Sequence, residues 1–219
     1  MSSASRRSAT SSASRPAGAP GQLRIIGGQW RRLRLPVPDA PGLRPTPDRV
    51  RETLFNWLGQ DLDGWRVLDA FAGSGALGFE AASRGAAEVL LIERDARLAR
   101  GLEQSRQRLN AQAARVLATD ALGWMRRAPP ASFELVLLDP PFGEGLFEPA
   151  LAAAAPLVVD GGWLYLEADR AFEPASFDPL GLALHRHLRA GAVHAHLLRR
   201  TAGAYTAADA VVRSEESAP

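Results

Sequence analysis

"VLDAFAGSGALGFEAASRG", Val67–Gly85, is the stretch that decides the fold. A short apolar run ends in Asp69, a glycine-rich turn follows, and helix-forming residues come next. Gly73-Ser74-Gly75-Ala76-Leu77-Gly78 has the form G-x-G-x-x-G. Alone that pattern is weak. Between a strand and a helix it predicts a loop whose glycines admit a ligand close to the backbone, with the free N–H groups of a helix N-terminus beside it. An adenosine-containing cofactor fits such a loop.

The same alternation continues outward. "RVLDAF", "EVLLIE", "RVLAT", "FELVLLD" and "GWLYLEA" are short apolar runs separated by amphipathic segments, among them a helix from about Ala96 and another over Leu146–Ala155. Strands alternating with helices predict βαβ units and a mainly parallel sheet covered on both faces, an α/β Rossmann-like class. The end differs. "LALHRHLRAGAVHAHLLRR" (182–200) predicts an antiparallel hairpin that closes the sheet. A two-residue turn at Ala190-Gly191 would set His187 against His194 and His185 against His196, all on one solvent-facing side.

Acids mark the strand ends. Glu93 is placed to accept ribose hydroxyls from either NAD or S-adenosylmethionine. Asp69 separates the two donors, because an anion just before the glycines opposes a pyrophosphate and attracts an ammonium. Asp120 is placed to accept from an adenine amine. Helix capping is the alternative for Asp69 or Asp120 taken singly. Three acids at the carboxyl ends of consecutive strands point to a ligand. The fourth strand ends in "DPPF", Asp139–Phe142. A carboxylate and a backbone carbonyl there can orient an exocyclic amine, the prolines fix the backbone, and Phe142 offers a face for a base. A plain turn with Phe142 in the core is the alternative.

All 26 cationic residues are arginine and there is no cysteine, which excludes a disulfide framework and a thiolate metal site and suits a reducing cytosol. Residues 1–51 carry a balance of +8 and the remainder −6, so a basic front end precedes an acidic body. A nucleic-acid partner accounts for that asymmetry. Residues 1–20 hold no Leu, Ile, Val or aromatic residue and are expected to form a disordered basic tail, with a transit peptide as the alternative. No window approaches the ~18 apolar residues of a membrane span. Leu23–Leu35 predicts a hairpin around Gly27-Gly28, with Trp30, Arg32 and Arg34 on one face of its second strand. A helix is expected next, with Thr46 as N-cap, Pro47 at N1, Gly59 as terminator and a buried stripe of Val50, Leu54, Trp57 and Leu58. The expected organisation is thus a tail (1–20), an RNA-facing hairpin and helix (21–60), a catalytic domain (61–200) and a C-terminal tail (201–219).

"DPPF" is similar to the [DNS]-PP-[YFW] motif of methyltransferases acting on nucleobase amines. "LRIIGGQWRRLRLPVPDAPGLRPTPDRVRETLFNWLG" (23–59), together with "FAGSGALGFEAASRGA" (71–86), resembles the RsmD family of 16S ribosomal RNA (guanine-966-N2)-methyltransferases over about residues 22–200. The resemblance implies a class I methyltransferase fold, S-adenosylmethionine as donor, no metal, and 16S ribosomal RNA as partner. A small-subunit assembly particle as substrate, a monomeric state and a cytoplasmic site of action are expected. It places the target amine and base on Asp139, Pro140, Pro141 and Phe142. The donor falls to Asp69, Phe71, Ala72, Gly73, Gly75, Glu93, Asp120 and Ala121. The RNA-facing set is Arg24, Trp30, Arg31, Arg32, Arg34, Arg44, Thr46 and Arg49. The long N-terminal tail, Pro47 and the extension after Arg200 depart from the family pattern. "DPPF" alone does not distinguish guanine from adenine, so an adenine-N6 enzyme stays open, as do an NAD-dependent oxidoreductase and a non-catalytic RNA-binding module.

Overall fold

A computed structural model describes residues 21–38 and 46–202. The N-terminal tail, Arg44 and residues 203–219 lie outside the described residues. The chain opens with two antiparallel strands, β1 (Gly21–Arg24) and β2 (Arg34–Val37), followed by helix α1 (Asp48–Leu58). The main sheet is built from β3 (Arg66–Asp69), β4 (Glu88–Glu93), β5 (Ala114–Ala118), β6 (Phe133–Leu138), β7 (Val158–Ala168), β8 (Leu182–Ala190) and β9 (Val193–Arg200). Its order is β5-β4-β3-β6-β7-β9-β8, parallel through β7 and antiparallel beyond. The intervening helices are α2 (Ala76–Ser83), α3 (Ala96–Leu109), α4 (Ala121–Met125) and α5 (Phe147–Ala154). This is the mainly parallel α/β sheet, closed by an antiparallel hairpin, that the alternating pattern predicts. Among the described residues no helix is long and apolar enough to cross a membrane.

Apolar clusters cover both faces of the sheet. On one, Val67, Leu135, Leu137 and Tyr165 pack with Leu77 and Phe79 of α2, and Leu23, Ile25, Val50, Leu54 and Phe55 of the N-terminal segment join the same cluster. On the other, Leu68, Val136, Leu164 and Leu166 meet α4 and α5. Burial on both sides explains why the central strands are continuous apolar runs.

Four local expectations change. The β1–β2 connection spans residues 25–33, so Trp30 and Arg32 precede the second strand and do not share a strand face with Arg34. Arg32 adopts φ +72, which ends any extended run there. Pro47, not Thr46, is the N-cap residue of α1, with no side-chain cap, and Thr46 is turned toward Asp139. Gly59 does end the helix, in the left-handed conformation. The buried face of α1 includes Arg51 and Phe55, while Trp57 is only partly buried.

The fourth change is at the C-terminal hairpin. Its turn is Gly191-Ala192, with Ala190 paired to Val193, and the register is shifted by two from the expected one. Gly191 takes φ +65, the conformation that a tight hairpin turn demands at its first position. His187 therefore faces His196, and a bulge between Leu184 and Arg186 turns His185 toward Trp163, ring centroids 5.0 Å apart. His196 is fully buried, because β9 is an interior strand, and its Nε2 accepts the Phe172 N–H at 3.2 Å. A wholly solvent-facing histidine surface is thereby excluded.

Candidate active site

Strand order reverses at β3, since the chain runs outward to β5 and then returns to place β6 on the other side of β3. Open α/β sheets bind ligands at that reversal, beyond the carboxyl ends of the strands. A cavity of about 580 Å³ opens there. Every donor-side candidate except Gly75 lines it, together with Asp139–Phe142 and Thr46.

The loop glycines have separate reasons. Gly73 (φ +51) presents its N–H to Glu93 Oε2 at 2.9 Å, and Glu93 Oε1 accepts the Asp95 N–H at 2.8 Å. These bonds fix the Glu93 carboxylate at the cavity wall. Gly75 (φ +79) is not a wall residue: a Cβ there would lie 2.5 Å from Phe79 Cδ2, so the position serves packing of the helix start. Asp120 caps the helix that follows it, α4, its Oδ2 accepting the Gly123 N–H at 2.6 Å, and also faces the cavity beside Ala121.

Asp69 is 1% exposed, and its Oδ2 accepts the Gly78 N–H at 2.9 Å. Burial, helped by the charges of Asp139 and Glu93, pushes its carboxyl up to about 7. Asp139 follows β6, on the strand next to β3. Burial pushes it up to about 7 as well, opposed by the Thr46 hydroxyl, which donates to Oδ2 at 3.4 Å, long for such a bond. Phe142 is 38% exposed and stands edge-to-face on Phe147 at 5.8 Å, which leaves it accessible to a planar ligand.

Glu167, near the end of β7, was not singled out by sequence reasoning although it too is an acid at a strand end. It is buried, lines the cavity, and its Oε1 accepts the Tyr165 hydroxyl at 2.9 Å. Burial and the Asp139 charge push it up to about 8. Among the described residues no cation pairs with Asp69, Asp139 or Glu167. Two buried acids, Asp69 and Glu167, with the partly exposed Asp139 between them and no cation on any of the three among the described residues, suit a ligand that brings positive charge and N–H donors. They oppose a diphosphate, which counts against NAD and fits a sulfonium donor with its ammonium group.

The RNA-side candidates divide. Arg49 is exposed in the first turn of α1, two residues from the cavity wall at Pro47. Arg24 pairs with Asp48 at 2.7 Å, and Arg34 Nη1 donates to Gln22 at 3.1 Å. Trp30, Arg31 and Arg32 sit at the other end of α2 from the glycine loop, where Gln29 N–H meets Ser83 O at 2.7 Å and Trp30 N–H meets Ser83 Oγ at 3.0 Å. Eight helical residues separate them from the cleft by roughly 12 Å.

Holding that loop in place is Glu80, a residue the sequence did not reveal. Its carboxylate accepts the N–H groups of Ile26 (2.9 Å) and Gly27 (2.7 Å), and pairs with Arg84 (2.8 Å) and Arg51 (3.4 Å), all three side chains buried.

Residues 23–199 match the family model described as Conserved hypothetical protein 95. Ribosomal RNA small subunit methyltransferase D of Escherichia coli (strain K12) is 45% identical over 194 residues, covering 86% of this chain and 96% of that protein. The protein of the same name from Haemophilus influenzae is 43% identical over 149 residues, covering 67% and 75%. A solved structure, the putative methyltransferase yhhF from Escherichia coli, superimposes with a TM-score of 0.73 at 40% identity, covering 83% of this chain and 99% of that one.

Proposed function

The chain belongs to the Conserved hypothetical protein 95 family, and on that premise we propose that it transfers a methyl group from S-adenosylmethionine to the exocyclic N2 amine of a guanine in 16S ribosomal RNA. One observation supports this above the others. Asp139, on the strand beside Asp69, shares with it a cavity in which neither acid has a cation among the described residues.

Asp69 holds the ammonium of the donor, whose positive charge favours the carboxylate form. Glu93, already fixed by two backbone N–H groups, offers its remaining lone pairs to the ribose hydroxyls. The Asp120 oxygen not used in capping accepts from the adenine amine, and Phe71, Ala72 and Ala121 form apolar wall around it. S-adenosylmethionine, when bound, supplies an electrophilic methyl group on sulfur.

At the other side of the cleft the Asp139 carboxylate and the Pro140 carbonyl each accept one N–H of the target amine. Guanine N2 is a weak nucleophile because its lone pair is delocalised into the ring. Two acceptors hold the amine and aim that lone pair, so the chain contributes orientation and charge stabilisation. Asp139 is also the nearest base for the proton that the amine sheds. Phe142 stacks on the base. Arg49 and the arginines of the β1–β2 segment meet phosphates.

The substrate form is a partly assembled small subunit, and the enzyme works as a monomer in the cytoplasm. The test is incubation of labelled donor with small subunits lacking this methylation, followed by nucleoside analysis and mapping. N2-methylguanosine at a single position, formed faster on particles than on free RNA, is expected. N6-methyladenosine as the product would replace this function with an adenine enzyme.

A further inference from the structure

One buried acid of the cleft has no task in methyl transfer as described. Glu167 stands one strand over from Asp139. Leu137 pairs with Tyr165 and Leu138 with Leu166 in parallel register, so the next step along brings Asp139 beside Glu167 on the same face. Neighbouring strands are about 4.8 Å apart. Glu167 is 2% exposed, yet it lines the cavity. The Tyr165 hydroxyl occupies its Oε1, which leaves Oε2 as the acceptor for a ligand. A buried carboxyl whose partners are the Tyr165 and Thr46 hydroxyls, with no cation among the described residues, costs stability until a further donor completes it.

Resting on the guanine-N2 function above, we propose that Glu167 is a specificity-determining residue that accepts N1–H of the target guanine while Asp139 and the Pro140 carbonyl hold the N2 amine. Guanine carries two adjacent donors on its Watson–Crick edge, N1–H and the N2 amine, and β6 and β7 present two adjacent acceptors to that edge. Adenine sets a bare N1 lone pair beside its amine. Both protonation states of Glu167 keep an oxygen able to accept N1–H, whereas only the protonated state has a hydrogen to offer a bare N1. Cytosine likewise places a bare ring nitrogen next to its amine, so the same acceptor disfavours it.

The probe is 2-aminopurine, which keeps the reactive 2-amino group but has a bare N1. Small-subunit RNA carrying guanine or 2-aminopurine at the target position is compared by kcat/KM for the wild type and Glu167→Gln at about pH 8.5, above the value of about 8 to which Glu167 is pushed, so that the wild-type side chain is mainly a carboxylate that only accepts. The two bases differ in intrinsic reactivity, and the ratio between enzymes removes that difference. The wild type should favour guanine by at least about tenfold, the cost of facing two acceptors in a dry site. Glu167→Gln, whose amide both accepts and donates, should shrink the preference to within about threefold. S-adenosylhomocysteine affinity, read by calorimetry, should stay unchanged in the variant. Equal use of both bases by the wild type overturns the proposal, as does an unchanged ratio in the variant or a collapse of S-adenosylhomocysteine binding. The wild-type comparison stands even where Glu167→Gln does not fold, and Glu167→Asp, which retains a carboxylate, should retain the preference. No methylation of guanine in the unmodified RNA would instead remove the guanine-N2 function itself, a result read separately from the ratios.

Discussion

Methyl transfer should switch on as pH rises through neutrality, and Thr46 should set where. Asp139 accepts an amine N–H only as a carboxylate, and burial has pushed its carboxyl up to about 7. The ionised fraction then grows from about one-eleventh at pH 6 to about ten-elevenths at pH 8, a roughly tenfold rise in kcat/KM. Glu167, pushed up to about 8 and next to Asp139, broadens the limb because the two acids titrate as a pair. The Thr46 hydroxyl bond opposes the upward shift. Thr46→Val keeps the shape and removes the bond, so its limb should move to higher pH and its rate at pH 7 should fall while the pH 8.5 rate changes little. The assay is single-turnover transfer of a labelled methyl group at saturating donor, which reads the chemical step. A flat profile between pH 6 and 8, or a limb that moves downward in Thr46→Val, would refute the assignment of Asp139 to the amine.

Three further outcomes are expected. Asp69 has a folded-state carboxyl raised to about 7 against about 3.8 when unfolded, so its contribution to stability is full below pH 4 and lost as pH climbs to 7; Asp69→Asn should therefore raise the urea midpoint of the donor-free protein at pH 8 while weakening S-adenosylhomocysteine binding, and equal midpoints would contradict this. Glu80→Ala strands buried Arg84, leaves Arg51 to Asp48 alone and unpairs the Ile26 and Gly27 N–H groups, and should cost about 3–5 kcal/mol in urea unfolding, with a loss below about 1 kcal/mol showing that the cluster does not anchor the N-terminal segment. Each RNA phosphate contact removed should flatten the log–log salt dependence of binding by about 0.7–0.9; Arg49→Ala should do so, and an unchanged slope after joint replacement of Arg31, Arg32 and Arg34 by Ala would mean that RNA does not reach the far end of α2.

The sheet and the cleft were legible because their signals are local. Val67–Gly85 writes strand, turn and helix in succession, and strand-end acids plus "DPPF" fall where such sheets bind ligands. What escaped depends on distant partners. Thr46 has the chemistry of an N-cap, but Pro47 takes ψ 142 and the cap position, and the hydroxyl finds Asp139 across 93 positions of sequence. Glu80 looks like an ordinary polar residue of an amphipathic helix until the 25–33 loop folds over it. Glu167 ends an apolar run as Asp69 and Asp139 do, yet without a following Pro-Pro or glycine loop nothing nearby distinguishes it from a polar strand terminus. The hairpin register failed by two because Gly191 can serve as either turn residue, and only the packing of β9 between β7 and β8 selects one.

The anchoring of the first strands on Glu80 also fixes an order of events during synthesis. Ile26 and Gly27 meet their acceptor 54 and 53 positions later in the chain. At ordinary elongation rates that separation is about 3–10 s of translation. During this interval Leu23, Ile25, Leu35 and Val37 have emerged, but the α2 and α3 residues of the same apolar cluster have not. The long loop costs closure entropy that only the finished α2 repays, so β1 and β2 dock late although they are made first. A nascent chain shorter than about Arg84 therefore has neither a glycine loop backed by a helix nor a fixed N-terminal segment, so the donor loop and the docking of the first strands wait on the same helix.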